Sequence, residues 1–187
     1  TGDIVTGKLD AGAANGWYII QGNGGNFVQL ALFGGGSSTF TSPSTVNAGV
    51  WSHIVVVRDV AAMQIRFYVN GVAAAPIALD TVRNVTNASA AHHGYTPFFG
   101  LSRVYAGLLD EVTWYDKALD GTEAAYLYNG GAGNAPSPAL LANCVLRHSF
   151  DQYEAPIVYP NPIVADLSGN GNNATGQNIA ALNLVPH

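Results

Sequence analysis

The residues best suited to hold an ion are Asp166-Leu-Ser168-Gly-Asn170-Gly171-Asn172, which set oxygen-bearing side chains at alternate positions with glycine at the sixth. A tight loop of this kind can wrap a hard cation, and calcium takes about six to eight oxygens from carboxylates, amides, hydroxyls and carbonyls. The loop supplies roughly half of that set. Gln177 stands at the twelfth position, where an EF-hand has its bidentate Glu, so an EF-hand is not indicated. The same residues also suit an Asx-turn, in which Asp166 and Asn170 bond only their own backbone. Both readings stand on the sequence.

Other chemistry is sparse. There is no G-x-S-x-G elbow and no H-E-x-x-H helix. His92-His93 are adjacent in a stretch of Asn, Ala and Gly without a nearby third ligand, which reads as a solvated loop. The glycine clusters at 22–25 and 34–36 lack a following Lys-Ser/Thr and read as turns. The lone cysteine, Cys144, cannot form an intrachain disulfide and sits in an alternating run, as a small buried hydrophobe would.

A chain of 187 residues fits one domain with room for a sizeable core. Its net charge of −5 and scarcity of Lys and Arg remove the electrostatic term on which nucleic-acid binding depends. Charged residues make up only 10%, while Gly, Asn, Ala, Thr and Ser abound, a profile common among extracellular β-proteins. The expected location is extracellular or the cell surface. No apolar run reaches the roughly 20 residues needed to span a bilayer. Sequons at Asn84, Asn87 and Asn173 mark polar loops.

The elements that must position these residues are strands. Residues 4–8, 16–21, 27–33, 38–41, 53–59, 64–69, 72–78 and 108–115 are rich in β-branched and aromatic types between Gly, Asn and Pro punctuation. Asn70-Gly71 predicts a two-residue hairpin turn, because both positions need a positive φ. A helix is expected near 120–129, opened by the capping box Asp120-Gly-Thr-Glu123 and stopped at Asn129-Gly130. Residues 131–141 have linker composition.

Trp51/His53, the Tyr68-Val-Asn-Gly71 turn, Gly107/Asp110/Glu111/Val112/Tyr115, Ala118-Leu119, Glu123-Ala124 and Leu127-Tyr128 together resemble the laminin-G-like, concanavalin A-like jelly-roll family. The resemblance implies an all-β fold, an antiparallel two-sheet jelly-roll sandwich with one short helix. It also implies that Trp17, Trp51 and Trp114 pack in the core. As remote carboxylate ligands for a structural calcium it offers Asp110 and Glu111, with Asp151 as a further one. These two acids are adjacent on an expected strand and point to opposite faces. The alternate-position acids that glucanases of this superfold use for a retaining mechanism are missing, which argues against a glycoside hydrolase. If a glycan is bound, the loop residues Tyr95, Phe98, His92, His93, Asn84 and Asn87 are the candidates.

The tail resembles the opening of the same family, in Cys144-Val-Leu-Arg-His-Ser-Phe-Asp151 and Val164-Ala-Asp-Leu-Ser-Gly-Asn-Gly-Asn-Asn-Ala-Thr175, with His148 where the family commonly has Trp. Closing elements therefore precede opening ones. The expected organisation is a body over 1–130 lacking its opening strands, a Gly/Pro linker over 131–141, and an opening-strand segment over 142–187. That segment would complete its own domain, a neighbouring subunit or the next repeat, so other copies of the chain are expected partners by strand addition. The expected function is a non-catalytic extracellular module for structural assembly or adhesion. The alternative is a carbohydrate-binding module attached to a secreted enzyme.

Overall fold

In β1 (Gly2–Leu9), β2 (Asn15–Gly22), β3 (Phe27–Gly34) and β4 (Ser37–Thr45), successive side chains point to opposite faces; burial alternates residue by residue along β2 and most of β4, while β1 and β3 also bury consecutive residues. With β9 (His92–His93) these form a five-stranded antiparallel sheet in the order β4-β3-β2-β1-β9. The second sheet is built on β5 (Ile54–Asp59) and β6 (Gln64–Val69), whose far edge takes β7 (Val72–Ala73) and β8 (Ile77–Ala78) one after the other. The computed structural model describes residues 2–22, 26–95, 103–150 and 163–175.

Two compact units are present: Thr1–Gly107 with Ala118–Ala135, and Leu108–Lys117 with Pro136–His187. In the first, Val28, Leu30, Leu32 and Phe40 of one sheet meet Ile65 and Phe67 of the other, joined by Val46 and Leu79. This is a two-layer antiparallel sandwich. The Asn70-Gly71 turn takes positive φ at both residues, 51° and 73°, and the Asn70 carboxamide accepts the His53 amide at 2.9 Å. The outer face of β6 is covered by α1 (Gly121–Tyr128), whose Ala124 is fully buried. Its capping box is formed, with Glu123 N donating to Asp120 Oδ1 at 2.9 Å and Asp120 N to Glu123 Oε2 at 3.0 Å.

Residues 80–89 form a strap across the ends of four strands in turn. Arg83 donates to Ser38 Oγ and the Ser37 carbonyl of β4. Asn84 lies so close to Gly34 of β3 that a Cβ there would come 2.5 Å from the Asn84 carbonyl oxygen. Asn87 Nδ2 donates to the Asn15 carbonyl of β2 at 3.1 Å and the Lys8 carbonyl of β1 at 3.3 Å.

In the second unit, β10 (Val112–Tyr115) pairs antiparallel with β11 (Cys144–His148), so this part of the tail pairs within its own chain. A short hairpin joins β12 (Ile163–Val164) to β13 (Ala174–Thr175).

Several expectations change. The strand expected over 108–115 begins only at Val112, because Glu111 takes the left-handed conformation, φ 48°, and breaks the extension. Asp110 and Glu111 therefore precede the strand. Residues 72–78 form two pieces because Pro76 has no amide for a continuous ladder. A helix, α2 (Pro138–Leu141), forms within the expected linker, with Ser137 as cap and Pro138 in the first turn. Trp51 is 59% exposed rather than in the core. It lies in the connection before β5, outside any alternating strand.

Phe67 is fully buried at the centre of the sandwich. Phe67→Ala should cost about 3–5 kcal/mol, the transfer loss plus the cavity. Urea unfolding should show this as a lower midpoint.

Candidate functional site

The 166–172 loop is closed by hydrogen bonds at every turn. Asp166 Oδ1 accepts from Arg147 N at 2.9 Å and Ser168 N at 2.9 Å. Its Oδ2 accepts from Ser168 Oγ at 2.8 Å and Asn172 N at 2.9 Å. A carboxylate has about four lone-pair sites, and here all are filled. Burial alone would raise the Asp166 pKa, yet these bonds outweigh it and hold the carboxyl below its ordinary range. Ser168 Oγ accepts from Asn170 Nδ2 at 3.0 Å. Asn170 and Asn172 also turn their amide donors onto the Cys144 and Val145 carbonyls, each at 2.9 Å.

Asp110 and Glu111 are engaged elsewhere in the same unit. Asp110 Oδ1 accepts the Glu111 amide at 3.0 Å. The Glu111 carboxylate takes a two-pronged bond from Arg147, with Nε and Nη2 each 3.2 Å away. Among the described residues no group of three His, Cys, Asp or Glu converges as a metal site. The six residues expected to hold calcium thus form a loop bonded to β11 and a separate acid–Arg147 fork. As arranged, the loop's one carboxylate is filled by protein donors, so calcium would bind there only by displacing some of them. Asp151 and Gln177 lie outside the described residues.

The second expected cluster is partly absorbed by the fold. Asn84 Oδ1 accepts the Thr86 amide at 3.1 Å, and Asn87 spends both ends of its amide on the strap, its Oδ1 taking Ser89 N at 2.9 Å. His92 and His93, expected in a solvated loop, instead form β9 at the edge of β1. His93 Nδ1 lies 2.9 Å from Thr6 Oγ1. The His92 ring meets Tyr95 edge-on, 5.8 Å between centroids, and burial lowers its pKa. Phe98 lies outside the described residues.

The outer face of the five-stranded sheet was missed by sequence reasoning. Ile4, Leu9, Tyr18, Ile20 and Ala31, all buried, form a second apolar cluster there, with the partly buried Phe33 packed against it. Tyr18 and Phe33 are tilted neighbours, 5.4 Å between centroids. Burial raises the Tyr18 pKa, opposed by a hydrogen bond and charge from Arg103. The rows across the face read Phe33 beside Ser37, Ala31 between Tyr18 and Thr39, and Gln29 between Ile20 and Thr41. None of these strand positions is charged, and the Arg103 guanidinium reaches them at Tyr18. Ser37, Thr39 and Thr41 are exposed, and Gln29 Nε2 donates to Thr41 Oγ1 at 2.7 Å. The available signal was Trp17-Tyr18-Ile19-Ile20, apolar on both faces, where a half-solvated antiparallel strand would alternate.

Residues 2–125 match the family model Laminin_G_3, described as the Concanavalin A-like lectin/glucanases superfamily. Among solved structures, the chain resembles a protein of Bacteroides ovatus ATCC 8483 named provisionally as carbohydrate binding, at 15% identity and a TM-score of 0.65. The similarity covers 96% of this chain and 50% of that one, so this chain spans half the length of that protein. At that identity the likeness is one of fold. An S-layer domain-containing protein (residues 221–444) from Clostridium thermocellum ATCC 27405 shares 18% identity over 68% of this chain and 64% of its own, at a TM-score of 0.31. That superposition carries no structural argument. No curated protein matches the chain.

Two outcomes are expected. Millimolar calcium should leave the melting temperature of chelator-treated protein unchanged, whereas a rise of several degrees would show the Asp166 bonds opening for the ion. Asn87→Ala should remove the side-chain donor shared by the Lys8 and Asn15 carbonyls and cost about 0.5–1.5 kcal/mol in chemical denaturation. Glycan affinity of the folded variant should not change.

Proposed function

The chain belongs to the concanavalin A-like lectin/glucanases superfamily, and from that premise we propose a non-catalytic module that binds a neutral glycan along the exposed β4 margin of its five-stranded sheet. The observation that carries this reading is the ladder of exposed Ser37, Thr39 and Thr41 with Gln29, beside the partly exposed ring of Phe33. A pyranose has an apolar C–H face and a rim of hydroxyls. The partly exposed Phe33 ring suits the first, its π face being electron-rich. The hydroxyl and amide ladder suits the second, since a binding surface needs an apolar floor and a few placed polar groups.

The fold shared with the Bacteroides ovatus protein supports the glycan reading, because that protein is named for carbohydrate binding. Against catalysis, the rows of this face carry no acid, and glycoside hydrolysis ordinarily needs two carboxyl groups flanking the bond. Low charge content supports a place outside the cell or on its surface.

The test is a glycan array followed by calorimetry on the hits. Phe33→Ala should remove the stacking surface, and Thr41→Lys should obstruct the ladder at an exposed position without touching the core. Each should weaken binding at least about tenfold, or 1.4 kcal/mol. Absence of binding to any neutral glycan, or affinity indifferent to both substitutions, would overturn the assignment.

A further inference from the structure

The hydrogen bonds of the 166–172 loop have a direction that the glycan reading does not use. Among the described residues, β11 is paired along one edge only, with β10. Its opposite edge would present a row of peptide groups, a ready template for another strand. The loop takes those groups one by one. The Arg147 N–H donates to Asp166 Oδ1 at 2.9 Å, and its carbonyl accepts from Leu167 N at 2.8 Å. The Val145 carbonyl accepts from Asn172 Nδ2, and the Cys144 carbonyl from Asn170 Nδ2, each at 2.9 Å. His148 Nε2, in a fully buried ring, lies 2.9 Å from the Asn172 carbonyl and holds the loop's far end.

We propose that this loop is an edge guard: its side chains, with one backbone amide, occupy the outward peptide groups of β11 that the same strand of a second copy would otherwise pair with. The chemistry of each position fits. Facing a carbonyl, the edge needs a donor, which Asn supplies and Asp would not; facing an N–H, it needs an acceptor, which the Asp166 carboxylate supplies. A strand docked at this edge would satisfy the same groups but expose a fresh edge of its own. An irregular loop of side-chain amides ends the ladder instead. The partner it excludes is a second copy, because two identical bare edges can meet about a two-fold axis as one self-complementary interface. Closure needs no metal, since Asp166 is filled by protein donors.

Two measurements on the full chain test this. Hydrogen exchange on the wild type should show the Arg147 amide protected like the β10–β11 ladder, equally in calcium and in chelator. Rapid exchange at Arg147, or protection that depends on calcium, would overturn the proposal whether or not any variant folds. The double variant Asn170→Ala, Asn172→Ala removes two donors. It should keep the far-UV circular dichroism of the wild type, yet double its weight-average mass in light scattering as concentration rises. Adding Val145→Lys, a charge on the bared edge, should restore the monomer. A folded double variant that stays monomeric at all concentrations would sink the guard role.

Discussion

The constraint on which the rest depends is that β2 and β3 are apolar on both faces. Trp17 and Ile19 of β2 and Leu30 and Leu32 of β3 belong to the core between the sheets, while Tyr18, Ile20 and Ala31 belong to the cluster on the other side. A sandwich core consumes one face of each sheet. A second apolar face on the same strands must be covered, and Ile4, Leu9, Tyr18, Ile20 and Ala31 are all buried. Moving outward to β4, that face becomes hydroxyl-bearing and exposed at Ser37, Thr39 and Thr41. The sheet thus buries apolar side chains on both faces and keeps a polar margin at β4.

The ends and edges of the layers are closed by different means. The strap at 80–89 fastens the ends of β4, β2 and β1 with side-chain bonds from Arg83 and Asn87, and lies against Gly34 of β3 through the Asn84 backbone. α1 lies over the outer face of β6, where Arg66 Nη2 reaches the Leu119 carbonyl at 3.3 Å. In the other unit, the 166–172 loop meets β11 through its side chains. Each device satisfies backbone groups that would be costly to leave unpaired.

Where local chemistry alone decides an outcome, the sequence is legible. The Asn70-Gly71 turn, the Asp120 capping box and the Asn129 stop depend on a few neighbouring residues and stand as read. The two-sheet sandwich was legible through the resemblance of several short motifs taken together. Less visible is whatever depends on long-range pairing. β9 is two residues pinned to the edge of β1, too short for any period to reveal. The start of β10 depends on one left-handed residue, Glu111, of a type that rarely adopts that conformation. The loop near Asp166 shows the deeper limit. Its oxygens at alternate positions are equally consistent with holding an ion and with accepting hydrogen bonds, and only the approach of β11 decides where the donors point.

The same geometry accounts for a chain poor in charge and rich in asparagine. Many of its stitches between separated backbone segments are neutral amides: Asn70 to the His53 amide, Asn87 to the Lys8 and Asn15 carbonyls, Asn134 to Tyr126, Asn170 to Cys144 and Asn172 to Val145. A carboxamide offers a donor and an acceptor on one short side chain, so it can bridge either kind of backbone group without carrying a charge out of water. Ion pairs at the surface contribute little and weaken as salt rises. Amide stitches have no charge to screen and no proton to gain near neutral pH. A fold held this way can leave the exposed Ser37, Thr39 and Thr41 positions of β4 without charged neighbours in their rows, and that neutrality suits a ligand whose own groups are hydroxyls.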